Sequence, residues 1–144
     1  MDVEFALLAD AAQSSPDGKL HVLGGGISEI FAPTFPATHP VLAFVLNLRL
    51  HPLECNQSHR LHIQLWDADG RSLQPDIAME FDIPRNPRHR TRDVFAQLVL
   101  NIVGLQLPQP GDYDFHVVVD GRHLKTLPLY VQQGQPAART PPPL

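Results

Sequence analysis

The chain has 144 residues, 43% of them hydrophobic. A domain of that size can bury about 68–70% of its unfolded surface without staples. A formal net charge of −4 excludes a protein that binds polyanions over its whole surface, so any nucleic-acid role would need a local patch. The single cysteine, Cys55, excludes an intramolecular disulfide and a cysteine-based zinc site.

Arginine outnumbers lysine nine to two, and alanine and proline are abundant, a bias that suggests GC-rich, bacterial coding. Met1-Asp2-Val3-Glu4-Phe5 carries two acids where a signal peptide needs basic residues. No apolar run approaches the ~20 residues of a membrane helix, and the best candidate, Val41 to Leu50, is interrupted by Asn47 and Arg49. The expectation is a soluble, cytoplasmic protein without membrane insertion.

Period-2 alternation recurs along the chain, and no long segment has a helical period. Val3, Phe5, Leu7, Ala9 and Ala11 share one face of a first strand. Ser14-Ser15-Pro16-Asp17-Gly18 then supplies a preset φ at proline and a positive φ at Asp-Gly, which makes a hairpin to a strand starting at Leu20 and Val22. Ala32 to Pro40 holds three prolines and reads as a connection. Leu42, Phe44, Leu46, Leu48 and Leu50 alternate strictly, as do Leu61, Ile63 and Leu65. Asp69-Gly70 is a hairpin signal leading to Ile77, Met79, Phe81 and Ile83.

A polar loop from Pro84 to Arg92 precedes Val94, Ala96, Leu98, Leu100 and Ile102. The other face of that strand, with Phe95, Val99 and Val103, is also apolar, which suggests a central strand or an interface. Tyr113, Phe115, Val117 and Val119 follow, then a second Asp-Gly turn at Asp120-Gly121 and a last strand ending near Val131. The domain therefore spans 1–131, and 132–144 is a proline-rich tail expected to be mobile. About eight short strands without βα alternation predict an all-β, two-sheet antiparallel sandwich of immunoglobulin-like, Greek-key character. Leu107 to Phe115 has the form of the corner before a late strand in such folds. There Tyr113 would bond back to the corner backbone, the other reading being an ordinary core tyrosine.

In this order, Phe5-Ala6-Leu7-Leu8-Ala9-Asp10-Ala11-Ala12-Gln13, Gly18-Lys19-Leu20, Gly24-Gly25-Gly26, Phe35-Pro36-Ala37, Pro110-Gly111-Asp112-Tyr113, Val119-Asp120-Gly121 and Pro128-Leu129 resemble a family of small uncharacterised bacterial proteins. The resemblance covers most of the chain. It implies a β-sandwich of unassigned role and brings no catalytic residues.

Gly24-Gly25-Gly26 raises the question of a phosphate loop. A P-loop needs Gly-Lys-[Ser/Thr] before a helix, and a dinucleotide fingerprint needs Gly-x-Gly-x-x-Gly opening one. The triplet runs instead into Ile27-Ser28-Glu29-Ile30, so it reads as a bulge or bend where a strand leaves its sheet or a neighbour presses close. Eight histidines invite a metal. His59 and His62 project to opposite faces of a strand and cannot chelate together, and no His-x-His pair exists, so neither metal nor cofactor is expected. Cys55 with His59 would make a nucleophile pair, but Leu53 to Gln57 reads as a loop around a plain thiol. No Gly-x-Ser-x-Gly elbow is present. Asp67 and Asp69 would suit calcium, yet Asp67-Ala68-Asp69-Gly70 equally has the form of a turn.

The strongest charge feature is Pro84-Arg85-Asn86-Pro87-Arg88-His89-Arg90-Thr91-Arg92. Arginine forks suit carboxylates and phosphates, and the loop lacks the stacking aromatics of a nucleic-acid site. These observations lead to a non-enzymatic module acting through protein–protein contacts or self-association. Trp66 and Phe95, with Arg85, Arg88, His89, Arg90 and Arg92, are its candidate interaction residues. Gly24, Gly25, Gly26, Tyr113 and Gly121 are its architectural ones. The alternative is a module that binds an anionic or sugar ligand with the loop 85–92.

Overall fold

The computed structural model describes residues 1–138 and 141–143. The expected tail mobility falls partly on residues 139, 140 and 144, which lie outside the described residues. Two sheets pack face to face. The strands are β1 (Asp2–Ser14), β2 (Leu20–Gly25), β3 (Glu29–Ala32), β4 (Ala37–Leu50), β5 (Ser58–Trp66), β6 (Ser72–Asp82), β7 (Val94–Leu107), β8 (Gly111–Val119) and β9 (Arg122–Gln133). One 3₁₀ turn, Pro52–Glu54, is the only helical element among the described residues. The four-stranded sheet has the order β2-β1-β4-β7 and the five-stranded sheet β3-β9-β8-β5-β6.

The alternating leucines meet in the middle. Leu42, Phe44, Leu46, Leu48 and Leu50 of β4 face Leu61, Ile63 and Leu65 of β5 with Phe115 and Val117 of β8, all at 1% exposure or less. Phe44 and Phe115 join the sheets edge to face, their centroids 5.5 Å apart at 72°. Such a pair adds about 0.5–1.5 kcal/mol beyond its buried area.

The structure departs from the sequence reading in four places. A ninth strand, β3, pairs parallel with β9, so the sandwich is not wholly antiparallel. It was hidden because four residues are too few to show a period. β4 begins at Ala37, inside the segment read as a connection, and β9 continues through Gln132 and Gln133. β7 is an edge strand rather than a central one.

The apolar outer face of β7 has another cause. Ala43 and Val45 point away from the core, beside Ala9 and Leu7, yet both are fully buried. Beyond Ala9, β1 parts from β4 and pairs with β2 alone, and Gln97 of β7 donates a 2.7 Å hydrogen bond to Ser14 Oγ. β1 and β7 flank β4 and would stand about 10 Å apart in a flat sheet, but they touch. The β1–β2 hairpin is therefore an arm folded back over the outer face of its own sheet. It covers Val99 and leaves Phe95 and Val103 exposed on either side.

The glycine triplet closes β2, with Gly24 and Gly25 its last two residues, and opens the passage to β3 in the other sheet. Gly24 has φ +63°, and a Cβ there would overlap the Asp10 carboxylate. Just beyond, the Ile27 N–H donates to Leu8 O at 3.0 Å, fixing the crossing against β1. At another crossing, from β7 to β8, the Tyr113 hydroxyl donates to Gln109 O at 2.6 Å, and Tyr113 is 2% exposed. Burial raises that hydroxyl's pKa, which keeps it a donor.

Candidate functional site

Strand registers fix two ends. One end carries the β4–β5 connection, the loop between β6 and β7, and the Asp120-Gly121 turn. The other carries the β5–β6 and β7–β8 turns, with Trp66 beside them. The sequence-picked residues consequently do not form one surface. Trp66 lies on the outer face of the five-stranded sheet at one end. Phe95 lies on the outer face of the other sheet, opposite Arg49, and the arginine loop caps the far end.

Trp66 is held in place while remaining 36% exposed. Its ring packs on His116 at 5.2 Å, and its indole N–H points at Gln64 Oε1 at 3.4 Å. His116 Nδ1 is 3.2 Å from His123 Nε2, which is 2.8 Å from Thr126 Oγ1. Directly across from Trp66 is Asp114, and on the same face of β8 Asp112 lies opposite Tyr130, itself 41% exposed. The result is a patch of two aromatic rings around two exposed carboxylates. Sequence alone puts His116 and Asp114 on one outward face, but not their assembly with Trp66, His123, Asp112 and Tyr130, which the pairing of β5, β8 and β9 brings about.

The arginine loop divides by role. Arg85 is committed to the fold: its Nε and Nη2 donate to Pro52 O at 3.1 and 3.0 Å, and its backbone N–H bonds Asn56 Oδ1. Asn86 Oδ1 accepts from the N–H groups of Arg88 and His89, rounding the loop. Arg88, His89, Arg90 and Arg92 are exposed, and no side-chain partner holds them among the described residues. His51, Pro52, Leu53, Arg85, Arg90 and Thr91 line a recess of about 260 Å³ beneath.

The histidines outside this patch are structural or solvated. His62 faces outward to Asp76 at 3.0 Å, whereas His59, 6% exposed, points inward. His59 Nδ1 lies 2.7 Å from Asp120 Oδ2 and Nε2 lies 2.6 Å from Glu54 O. Both ring nitrogens face acceptors, a demand that only imidazolium meets. Burial opposes that charge, but the bonds to Asp120 and Glu54 outweigh it and raise the His59 pKa above its usual value. His59 Nε2 is thus unavailable to activate Cys55, whose buried thiol has a raised pKa for the same desolvation. No group of three or more metal-ligating side chains occurs among the described residues.

Comparison with known families places the chain. The family model described as "Family of unknown function (DUF6941)" matches residues 4–132. The chain belongs to this family. The DUF6941 match begins within β1 and ends within β9, so it takes in both sheets, the arm, Trp66 and the arginine loop. A search of curated proteins found no match.

Proposed function

We propose that this DUF6941 member is a non-enzymatic, cytoplasmic interaction module. It works by protein–protein contact or self-association through the outer face of the five-stranded sheet around Trp66. The observation that carries this reading is a tryptophan kept 36% exposed by its own scaffold of His116 and Gln64. Interface centres favour rigid aromatics of this kind, because little side-chain entropy remains to be lost on binding. The occupied nitrogens of His59 and the protonated thiol of Cys55 leave no local nucleophile–base pair, which supports a non-catalytic role. One buried thiol also suits a reducing compartment. Trp66→Ala tests the reading: association by sedimentation, or the set of partners captured from a lysate, should diminish. Unchanged sedimentation together with an unchanged partner set refutes it.

A second reading, an anionic or sugar ligand on the loop 85–92, draws support from the recess beside Arg90 and Leu53. No phenyl, phenol or indole ring lines that recess, and Arg85, Arg90 and His51 do, which favours an anion over a sugar. A thermal-shift series with sulfate, phosphate and sugar phosphates tests it, and an absence of any stabilised ligand rules it out.

A further inference from the structure

The Trp66 face has the chemistry of an arginine receptor. Trp66 and Tyr130 are 36% and 41% exposed, and between them Asp112 and Asp114 are exposed with no hydrogen-bond or ion-pair partner among the described residues. A guanidinium stacks on indole or phenol and binds carboxylate with a two-pronged fork, so one side chain satisfies both features. The same chain carries the complementary group. Arg88, Arg90 and Arg92 are exposed and unpaired among the described residues, in a loop that leaves β6 of this very sheet. Within one molecule the two cannot meet: the nine residues of β5 separate loop end from patch end by about 30 Å.

We propose that the patch is filled by the arginine loop of a second copy of this chain, in a reciprocal two-fold dimer. When two five-stranded sheets face each other antiparallel, the loop end of each comes over the Trp66 end of the other. The contact is then made twice and the assembly closes at two copies. This deepens the reading of the Trp66 face as a contact surface and rests on it. Charge complementarity selects the occupant: four exposed basic or histidine side chains in one loop meet two unneutralised acids flanked by aromatics.

The test is a charge swap followed by sedimentation velocity, with melting curves to show that the exposed substitutions leave the fold intact. The wild-type chain should dimerise, and more weakly as salt rises. The triple variant Arg88→Glu, Arg90→Glu, Arg92→Glu and the double variant Asp112→Lys, Asp114→Lys should each lose association by about a hundredfold, since like charges then oppose across both contacts. Mixing the two variants should restore a heterodimer, because both of its contacts are again opposite in sign. Trp66 is the only tryptophan, so its emission should shift to the red as the wild-type dimer is diluted apart. Dimerisation unaffected by either reversal overturns the proposal while leaving Trp66 as a contact residue open to its own alanine test. A wild-type chain that stays monomeric, with emission independent of concentration, overturns it as well. A mixture that remains monomeric when the wild type dimerises does the same.

Discussion

His59 Nδ1 and Asp120 Oδ2 stand 2.7 Å apart at the end of β5, joining a buried imidazolium to the turn between β8 and β9. Asp120 also accepts from the Arg60 N–H at 2.8 Å through its other oxygen while adopting φ +52°. One residue thus shapes the turn, neutralises the histidine and anchors β5.

The pair gives stability a pH signature. The His59 pKa is raised on folding, so its contribution is complete below the unfolded value of about 6.5 and is lost as pH rises through the folded one. The Asp120 pKa is lowered, first by the His59 hydrogen bond and then by the Arg60 N–H. Its contribution is therefore complete above about 3.9 and is lost as pH falls through the folded value. Both act together between about pH 4 and 6.5. Asp120→Asn keeps a residue type that accepts positive φ but removes the charge, and should cost about 1 kcal/mol at pH 6. Urea titrations should show that cost shrinking at pH 8.5, and an equal cost at both values would contradict the assignment.

Tyr113→Phe keeps the buried ring and removes only the bond to Gln109 O, so it should cost about 1 kcal/mol. Tyr113→Ala opens a cavity as well and should cost about 3–5 kcal/mol. Denaturant midpoints for the two variants separate corner hydrogen bonding from packing.

Within the glycine triplet, position 24 should be the least tolerant. Gly24→Val forces an L side chain into a left-handed conformation, at about 1–2 kcal/mol, and also displaces Asp10. Gly25→Val keeps an ordinary φ and crowds only side chains, Val22 closely and Leu7 at ordinary contact, so it should melt higher than the Gly24 variant. The reverse order of melting temperatures would show that the crossing is held some other way.

Arginines in one loop should behave differently. Arg85→Ala severs two hydrogen bonds to Pro52 O and should cost about 1.5 kcal/mol. Arg88→Ala touches nothing in the fold and should stay within about 0.5 kcal/mol of wild type. Thermal melts of the two single variants check this directly.

Val45→Asp places an uncompensated charge beneath the folded-back arm and should cost about 3 kcal/mol or more. If the arm lifts rather than the whole domain unfolding, limited proteolysis should begin in the Ser15 to Gly18 turn.

Strict leucine alternation in β4 and β5 and the Asp-Gly turns made the hairpins and the sandwich legible, because those signals are local. β3 was not legible, since a four-residue parallel pairing owes its existence to β9. Nor was the arm: Phe95, Val99 and Val103 look alike in sequence, yet only Val99 lies under it. The arginine loop stood out as charge, but only contacts with Pro52 and Asn56 separate Arg85 from its neighbours. His59 read as an ordinary strand residue because both acceptors that fix its charge come from other segments.

The parallel pairing of β3 with β9 imposes an order of assembly during synthesis. Glu29 meets Tyr130, so a strand made early must wait for the last strand before its backbone groups find their partners. Until β9 leaves the ribosome, the five-stranded sheet lacks one neighbour of β8 and the whole support of β3. The N-terminal hairpin and its contact with β4 can form earlier, since they draw on sequence already made. Completion of the domain is thus gated by its final strand, and a ribosome-stalled chain ending before Arg122 should hold the arm while leaving β3 unpaired.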